Sequence, residues 1–442
     1  MSTEQVAAGL TAATRLTADY VVPCEGDGLV IENGAIDIDG SGRIAAVGPE
    51  HELGPAPENL HRLGGLLMPG LVNAHAHTPM TLVRSAGDGL PLQRWLAEGV
   101  WPREARMTPE DAWWGMSLGS AEMLLAGVTT SCEMYMFEDQ VVDAVTASGA
   151  RLVITPGVIA ALLANGDVGA RIDEIADFFA DNHRPDQRIN VGFAPHSVYD
   201  LSPEQCGEIA AHAARTGALF HIHLEETEAE RQLVKERYGK TATQALADAG
   251  VLEANVLAAH GVWLDATDQR LLAEAGAAVA HCPQSNLKLG SGVAPVADLL
   301  AAGVGVGVGT DGVASNDGLD LWQELKLAPM LARGIGCDPQ AMNAATALDM
   351  ATKSAASAIG LDDVGHLTPG AWADIIRVDT DQPAFTPGLE MVTHLVFAGS
   401  SRFVTDVWVA GDQVVDAGSL TTVDVGRCLT EVKTRGRRLA GL

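Results

Sequence analysis

Short apolar runs alternate with helical segments through the middle of the chain, from about residue 69 to residue 369. The helical segments have clear boundaries. Thr108-Pro109-Glu110-Asp111 offers an N-cap, a proline in the first turn and two acidic side chains, and Gly127 follows the end of that helix. Such alternation is typical of βα units and a parallel sheet. The apolar runs are 71–77, 128–134, 151–157, 189–195, 218–224, 255–261, 277–283 and 305–311.

Eight parallel strands with crossover helices predict a closed (β/α)₈ barrel, because an open doubly wound sheet usually has fewer strands. The eighth run, 305–311, is rich in glycine and resembles a dinucleotide-binding loop. It ends in Thr310-Asp311, without the glycine that such a loop places just before its helix. We therefore interpret it as a close-packed barrel strand.

The two ends of the chain have a different pattern, in which short strands are broken by turn signals such as Glu32-Asn33-Gly34. Neither end has enough strands for a stable sheet, so we expect the two to pair. The predicted fold class is α/β: a TIM-type barrel over 69–369 and a small β-sandwich domain built from 17–68 and 370–430. Residues 1–16 are expected to lie outside the core. The C-terminal strands are predicted at 373–378, 393–398, 403–409 and 413–415.

Composition narrows the class of partner. The chain has 57 Asp and Glu against 28 Lys and Arg, a formal charge of −29, which disfavours nucleic acid and anionic membrane surfaces. No apolar stretch approaches the roughly 18 residues of a membrane helix. The N-terminus lacks a basic segment followed by an apolar one, and the six cysteines form no CxxC pair. These features predict a cytoplasmic protein whose partner is neither a nucleic acid nor a membrane.

Polar residues at the predicted strand ends carry the functional signal, because the chemistry of a (β/α)₈ barrel lies at the C-terminal ends of its strands. Six of the 13 histidines and one aspartate fall there. They are His75 and His77 on strand one, His196 on strand four, His223 on strand five, His260 on strand six, His281 on strand seven and Asp311 on strand eight.

His75 and His77 are two residues apart on one strand, so their side chains share a face. A lone pair of this kind also fits two structural strand histidines. With His223 and Asp311 it supplies three nitrogens and one oxygen, a set that suits Zn²⁺, or Fe²⁺ or Mn²⁺, and leaves a position for water. No lysine falls at the end of strand three or four, where a carbamylated lysine would bridge two metals. The sequence therefore predicts one divalent ion.

Glu226 follows His223 by three residues and is a candidate to take and pass on the proton of a metal-activated water. Its alternative is a helix N-terminal acid, the interpretation that we favour for Glu225, Glu228 and Glu230. His260 is either a donor to a developing oxyanion or a core histidine. For His281 we favour the core.

Six segments together resemble the amidohydrolase superfamily, and within it the methylthioadenosine/S-adenosylhomocysteine deaminases and related aminohydrolases. The resemblance covers the chain from about residue 17 to the C-terminal strands. The segments are PGLVNAHAHTPMTLVR (69–84), GFAPHSVYD (192–200), HIHLEET (221–227), HGVWL (260–264), HCPQSNLKLGSGVAPV (281–296) and GTDGVASNDGLD (309–320).

The resemblance implies the same barrel with its flanking β domain, and the metal ligands His75, His77, His223 and Asp311. It implies that metal-bound hydroxide attacks C6 of adenine and that ammonia is released. The implied catalytic residues are Glu226, which passes a proton to the ring nitrogen, Asp311, which accepts the hydroxide proton and helps ammonia to leave, and His260, which holds the new oxygen. The implied substrate contacts are Glu226, His196 and, in the WPREA segment (101–105), Glu104 on the ribose. It also implies a homo-oligomer, a dimer or tetramer.

One departure concerns the substrate tail. Where the family commonly ends strand three in Ser-Arg-Gly, this chain has Thr155-Pro156-Gly157, and proline cannot pair with an amino-acid carboxylate. The sequence thus predicts a deaminase of methylthioadenosine, adenosine or S-adenosylhomocysteine, with the last in doubt. The alternatives are an amino- or chlorohydrolase of another heterocycle, such as a guanine analogue, a pterin or an s-triazine, and a non-catalytic scaffold. The Pro-Cys-x-x-Cys signature of the cytidine-deaminase fold is absent from the sequence.

Overall fold

The apolar runs in the middle of the chain are all strands in the computed structural model, which describes residues 12–26, 28–163 and 166–442. Strands one to four pair in parallel and in order, as do strands five to eight. The barrel strands are Leu71–His77, Val128–Tyr135, Arg151–Val158, Ile189–Val191 with Ala194–Pro195, Leu219–Leu224, Asn255–His260, Ala278–His281, and Gly305–Val308 continuing in Asp311–Gly312.

Two contacts close the ring. A bridge between Phe193 and Phe220 joins strand four to strand five. The end of strand eight pairs with strand one, Asp311 opposite Ala76 and Gly312 opposite His77. The predicted (β/α)₈ barrel is confirmed, and its closure brings the end of strand eight beside the His-x-His pair.

The glycines of strand eight are required by close packing. A Cβ on Gly307 would lie 2.8 Å from the Cα of Ala355 and 2.9 Å from the Cβ of Ala74. A Cβ on Gly309 would lie 2.7 Å from the backbone nitrogen of His75. The interpretation of this run as a close-packed strand is therefore correct, and its small residues let it approach the metal-ligand strand.

The helices begin at the capping residues that the sequence indicates. Thr108 and Asp111 form a capping box at the start of Pro109–Leu125, and Ser202 and Gln205 form another before Pro203–Thr216. The longer helices also include Glu138–Ser148, Val168–Asn182, Glu228–Tyr238, Ala242–Asp248, Ala266–Glu274, Val296–Ala302, Leu321–Gly336, Ala344–Met350, Met391–Ala398 and Val425–Leu439. Short helical segments and turns are Glu50–Glu52, Thr78–Val83, Leu92–Arg94, Trp95–Val100, Trp101–Glu104, Ala160–Leu162, Val251–Glu253, Pro283–Lys288, Val313–Asn316, Lys353–Ala358, Pro383–Phe385 and Ser401–Phe403.

No helix in the described part of the chain is both long enough and apolar enough to cross a membrane.

Strands from both ends of the chain form one hydrogen-bonded sheet, as expected for the small β domain. Leu66–Pro69 pairs antiparallel with Ile375–Val378, and this pair joins the N-terminal strands to the C-terminal ones. The division of the chain at residues 69 and 370 stays a prediction. In order across the sheet, the strands are Ser419–Leu420, Asp412–Asp416, Val404–Val409, Ile375–Val378, Leu66–Pro69, Ala12–Val21, Ile31–Asp39 and Ile44–Pro49, with Asn59–Arg62 beside Ala12–Val21.

A buried ion pair connects this sheet to the barrel. Arg151, at the start of barrel strand three, donates to both carboxylate oxygens of Asp374 at 2.8 and 3.0 Å, and both side chains are 1% exposed. Asp374 also accepts from the backbone N–H of Ala410 at 2.7 Å. Both charged groups of the pair are therefore hydrogen-bonded, as buried charges require.

Two expectations about the chain ends are corrected, and one helix was not predicted. The predicted strand 393–398 is the helix Met391–Ala398, because a short apolar run cannot be assigned to strand or helix by periodicity alone. Of residues 1–16, the described part begins the strand Ala12–Val21 and buries Leu16 completely; residues 1–11 lie outside the described residues. The helix Val425–Leu439, which the sequence patterns did not predict, packs on Pro109–Leu125, where Arg435 and Arg438 bind Asp111.

Candidate functional site

A cavity opens at the C-terminal ends of the barrel strands. Its apolar wall includes Trp95, Trp101, Met136 and Ile159. His75 lies beneath it and is fully buried. The structure thus gathers at one place the residues that the sequence singled out, apart from His281, which is buried on strand seven and does not line the cavity. The histidine and acidic side chains that line it are His77, Glu104, His196, His223, Glu226, His260 and Asp311.

The four predicted metal ligands form one cluster. His75, His77, His223 and Asp311 each offer an atom, and these atoms all lie within 4.8 Å of one another. The Oδ1 atom of Asp311 is 3.3 Å from Nε2 of His75 and 3.2 Å from Nε2 of His77. The Nε2 atoms of His77 and His223 are 3.2 Å apart.

Hydrogen bonds to the backbone fix two of these rings. Nδ1 of His77 lies 2.5 Å from the carbonyl oxygen of Met134, and Nδ1 of His223 lies 2.9 Å from that of His196. A carbonyl can only accept, so each Nδ1 donates, and each neutral ring carries its lone pair on Nε2. Two such lone pairs at 3.2 Å repel unless a proton or a cation lies between them. The cluster therefore fits a cation.

The pKa values of the three histidines also bear on whether the cluster can bind a metal ion. Burial lowers the pKa of His75 to about 3 and that of His223 well below its ordinary value, so both are neutral, the form that binds metals. Burial is the largest single influence on the pKa of His77 and lowers it, but the neighbouring Asp311 carboxylate, the Met134 carbonyl and the charge of Glu133 together raise it more, so the net shift is upward. Nε2 of His75 has no hydrogen-bond partner among the described residues.

Asp311 supplies the negative charge. Its backbone φ is +61°, in the left-handed region, which is rare for a residue with a side chain and is often found at functional sites. Its Oδ2 accepts from the hydroxyls of Ser285 at 2.5 Å and Ser315 at 2.7 Å. Burial alone would raise the pKa of Asp311, yet the adjacent His75 and His77 rings bring it well below the usual range. The carboxylate is ionised, with Oδ1 turned toward the histidines.

Glu226 and His260 face each other beside the cluster, with Oε2 of Glu226 3.9 Å from Nε2 of His260. The hydroxyl of Ser291 is 3.4 Å from the other oxygen of Glu226. Burial raises the pKa of Glu226, and the neighbouring His260 lowers it in part. A carboxyl whose pKa moves toward neutrality is suited to exchanging protons. On the far side of its ring, His260 is held through Nδ1, 2.9 Å from Oδ1 of Asn286.

Glu104 ends the short helix Trp101–Glu104 and lies at the cavity wall. The hydroxyl of Tyr135, at the end of barrel strand two, donates to its Oε1 at 2.7 Å. Burial raises the pKa of Glu104, although this hydrogen bond works in the opposite direction. One oxygen of Glu104 is thus fixed by the protein, and the other is available to a ligand.

His196 lies at the end of barrel strand four, with its ring 4.7 Å from that of His223 between centroids. Its Nδ1 is 3.1 Å from the hydroxyl of Ser197. Burial lowers the pKa of His196 to about 3, so the ring is neutral. A neutral ring can donate one hydrogen bond to a ligand or accept one from it.

Sequence reasoning did not find several residues that hold these groups. Tyr135 gave no signal, since a tyrosine after an apolar strand is ordinary. Ser285, Asn286 and Ser315 lie in the segments SNLKL and ASN, which we quoted for the resemblance without assigning roles to them. Their positions within those segments were the only available signal.

Comparison with known proteins agrees with this geometry. A model of the family described as Amidohydrolase family matches residues 66–414, more than half of the chain. The chain belongs to the amidohydrolase family. The match runs from the strand Leu66–Pro69 through the whole barrel to the strand Asp412–Asp416, so it includes all the residues of the candidate site.

Relatives within the amidohydrolase family carry deaminase names. The chain is 41% identical over 428 residues to a 5-methylthioadenosine/S-adenosylhomocysteine deaminase of Pelotomaculum thermopropionicum, covering 95% of this chain and 97% of the relative. It is 40% identical over 420 residues to the enzyme of the same name from Moorella thermoacetica, covering 94% and 97%.

Solved structures show the same fold. An adenosine deaminase of Xanthomonas campestris with bound zinc superimposes with a TM-score of 0.92 at 34% identity, covering 98% of this chain and 99% of that one. An atrazine chlorohydrolase of Arthrobacter aurescens gives a TM-score of 0.87 at 24% identity, covering 96% and 100%. The second likeness shows the shared amidohydrolase fold alone.

Proposed function

We propose that this chain is a metal-dependent hydrolytic deaminase of adenine-type purine nucleosides: methylthioadenosine, adenosine or S-adenosylhomocysteine. One observation carries the proposal. The cluster of three histidines and Asp311 lies at the same cavity as Glu226 and Glu104, so one bound substrate could contact the metal site, the proton carrier and the sugar-binding carboxylate. The names of the relatives that are about 40% identical over nearly the full length support the same activity.

The proposed cofactor is one divalent ion held by His75, His77, His223 and Asp311, with Zn²⁺ favoured and Fe²⁺ or Mn²⁺ as the alternatives. When bound, such an ion activates a water molecule as a nucleophile at neutral pH. The converging Nε2 lone pairs and the ionised Oδ1 of Asp311 support this assignment.

The residues beside the cluster divide the proton transfers. Water adds to C6 of the purine, and the Glu226 carboxyl gives a proton to the adjacent ring nitrogen. Asp311 accepts a proton from the attacking water and passes it to the amino group, which leaves as ammonia. As the C6=O bond forms, the proton that remains on the oxygen returns to the Glu226 carboxylate. The imidazole of His260, oriented by Asn286, holds the oxygen that replaces the amino group. The product is the corresponding 6-oxopurine nucleoside.

The rest of the cavity binds the sugar and its 5′ substituent. The free oxygen of Glu104 is placed to accept from a ribose hydroxyl, and His196 offers a neutral ring nearby. Of the described residues, no arginine or lysine lines the cavity, while apolar side chains such as Met136 and Ile159 do. We therefore propose that uncharged tails, methylthio or hydroxyl, are preferred to the charged homocysteine tail.

The proposed setting is the cytoplasm, a reducing compartment in which the six cysteines, none of them in a disulfide, stay as thiols. The predicted dimer or tetramer stays a prediction.

The deciding experiment measures ammonia release from the three nucleosides by protein loaded with Zn²⁺, by chelator-treated protein and by the variant His77→Asn. We expect turnover only in the loaded wild type, and restoration of the chelated sample on adding Zn²⁺. Loaded protein without turnover on any of the three would refute the substrate assignment. Purified protein with far less than one equivalent of bound metal, and no uptake of Zn²⁺, would favour the scaffold alternative.

A further inference from the structure

A third strand histidine stands behind the metal cluster. His221 lies on barrel strand five, two residues before His223, and is fully buried. Its Nε2 is 2.9 Å from Nδ1 of His75, and the two rings meet edge to face with centroids 4.9 Å apart. His221 does not line the cavity, so it contacts a predicted metal ligand and not the substrate.

On its other side, Nδ1 of His221 lies 3.0 Å from the hydroxyl oxygen of Thr155, on barrel strand three, and 3.7 Å from Sγ of Cys132, which is a much weaker hydrogen-bond partner. The same hydroxyl lies 3.1 Å from the backbone carbonyl oxygen of Glu133. Because a carbonyl only accepts, the single hydroxyl proton of Thr155 points to Glu133. The Thr155 oxygen is then an acceptor for His221, and the proton of His221 is on Nδ1.

The position of the proton on His221 determines the position of the proton on His75. A neutral His221 with its proton on Nδ1 has a lone pair on Nε2, which accepts from Nδ1–H of His75. His75 in turn keeps no proton on Nε2. That atom is the one that faces Asp311 at 3.3 Å and has no hydrogen-bond partner among the described residues.

The three ligand histidines therefore differ in how they are held. His77 and His223 donate Nδ1–H directly to the backbone carbonyls of Met134 and His196, which no substitution of a side chain removes. Nδ1 of His75 is held by a side chain instead. If Thr155 lost its hydroxyl, His221 could carry its proton on Nε2 and donate to His75, which would move the His75 proton to the ligand atom.

We propose that His221, oriented by the hydroxyl of Thr155, is a positioning residue that keeps the proton of His75 on Nδ1 and leaves Nε2 free to bind the metal ion. The inference rests on the metal site of the proposed function, but not on its substrate. Hydrogen-bond partners of this kind typically change metal affinity about 10- to 100-fold.

The test measures Zn²⁺ affinity directly, by competition with a chromophoric chelator at fixed pH. Thr155→Val is nearly isosteric and removes the hydroxyl, whereas Thr155→Ser keeps it. Thr130→Val is the matched control, because Thr130 is also a buried barrel-strand threonine, and its hydroxyl has no hydrogen-bond partner among the described residues. His221→Phe removes both hydrogen bonds of the chain Thr155–His221–His75, which we call the relay.

We expect Thr155→Val to weaken Zn²⁺ binding about tenfold or more, and His221→Phe to weaken it at least as much. Thr155→Ser and Thr130→Val should stay within about twofold to threefold of the wild type. If Thr155→Val binds Zn²⁺ as tightly as Thr130→Val, the relay is refuted, even if His221→Phe fails to fold.

The two proposals fail separately. A wild type that binds Zn²⁺ and shows the expected order of affinities, but deaminates none of the nucleosides, refutes the substrate assignment and supports the relay. A wild type that takes up no Zn²⁺ refutes the metal site, and the relay with it.

Discussion

The contact between Tyr135 and Glu104 gives a test of whether the cavity holds a ribose. Glu104 has one oxygen fixed by the Tyr135 hydroxyl at 2.7 Å and one available to a ligand, and both side chains are buried. Glu104→Gln preserves the size of the side chain and removes its charge. Tyr135→Phe preserves the ring and removes the hydrogen bond that orients the carboxylate.

The expected magnitude follows from the number of hydrogen bonds. A hydrogen bond to a charged group contributes about 1.5–3 kcal/mol, and each 1.4 kcal/mol is about a factor of ten. Losing one such bond to the sugar should lower kcat/KM for adenosine about 10- to 150-fold in Glu104→Gln. Tyr135→Phe acts only through Glu104, so its loss should be smaller, about tenfold at most.

The assay measures ammonia release and compares adenosine with 2′,3′-dideoxyadenosine, which lacks the 2′- and 3′-hydroxyl groups that we expect Glu104 to bind. Both variants should change kcat/KM for the dideoxy substrate less than about threefold. The double variant should be no worse than Glu104→Gln, because the two residues act as a unit. Equal losses on both substrates would show that Glu104 does not bind the sugar. That result would favour the alternative of a heterocycle without ribose.

Three further predictions concern the substrate tail and the stability of the fold. The kcat/KM for methylthioadenosine should exceed that for S-adenosylhomocysteine about tenfold or more, because a lost charge-assisted hydrogen bond costs at least a factor of ten. Ile159→Arg should reduce this difference in kcat/KM. Equal kcat/KM values in the wild type would contradict the proposal. Arg151→Met should lower the free energy of unfolding by about 3–5 kcal/mol in chemical denaturation, because it leaves Asp374 buried without its partner, and Arg151→Met with Asp374→Leu should cost less than the single change. Burial raises the pKa of Glu230 to about 8, so the folded state binds this proton more tightly and stability falls as the pH rises from about 4.5 to about 8. Glu230→Gln should flatten that fall, measured as the denaturation midpoint at about pH 5 and about pH 8, and an unchanged slope would contradict this assignment.

The barrel and its metal cluster could be predicted because their signals are local. Each strand is a short apolar run, and each ligand follows from a position at a strand end, so His75, His77 and Asp311 needed no knowledge of distant contacts. The residues that orient them are different. Tyr135 is 31 positions from Glu104, and Thr155 is 66 positions from His221, so only the closed barrel brings these pairs together.

The ends of the chain show the same limit. Arg151 and Asp374 are 223 positions apart, and nothing around either residue indicates an ion pair. The helix Met391–Ala398 has the apolar, partly β-branched composition of a strand, and eight residues are too few for periodicity to distinguish the two.

The pairing of Leu66–Pro69 with Ile375–Val378 also has a consequence for how the protein is made. About 300 residues separate the two strands, and a ribosome adding about 5–20 residues per second needs roughly 15–60 s to supply the second after the first. During that time, the strand Leu66–Pro69 can pair with Ala12–Val21 on one side, but its other edge has no partner, and an unpaired apolar edge is a template for aggregation. A nascent chain that stalls before residue 375 is therefore a natural client for chaperones, and fragments ending there should be insoluble.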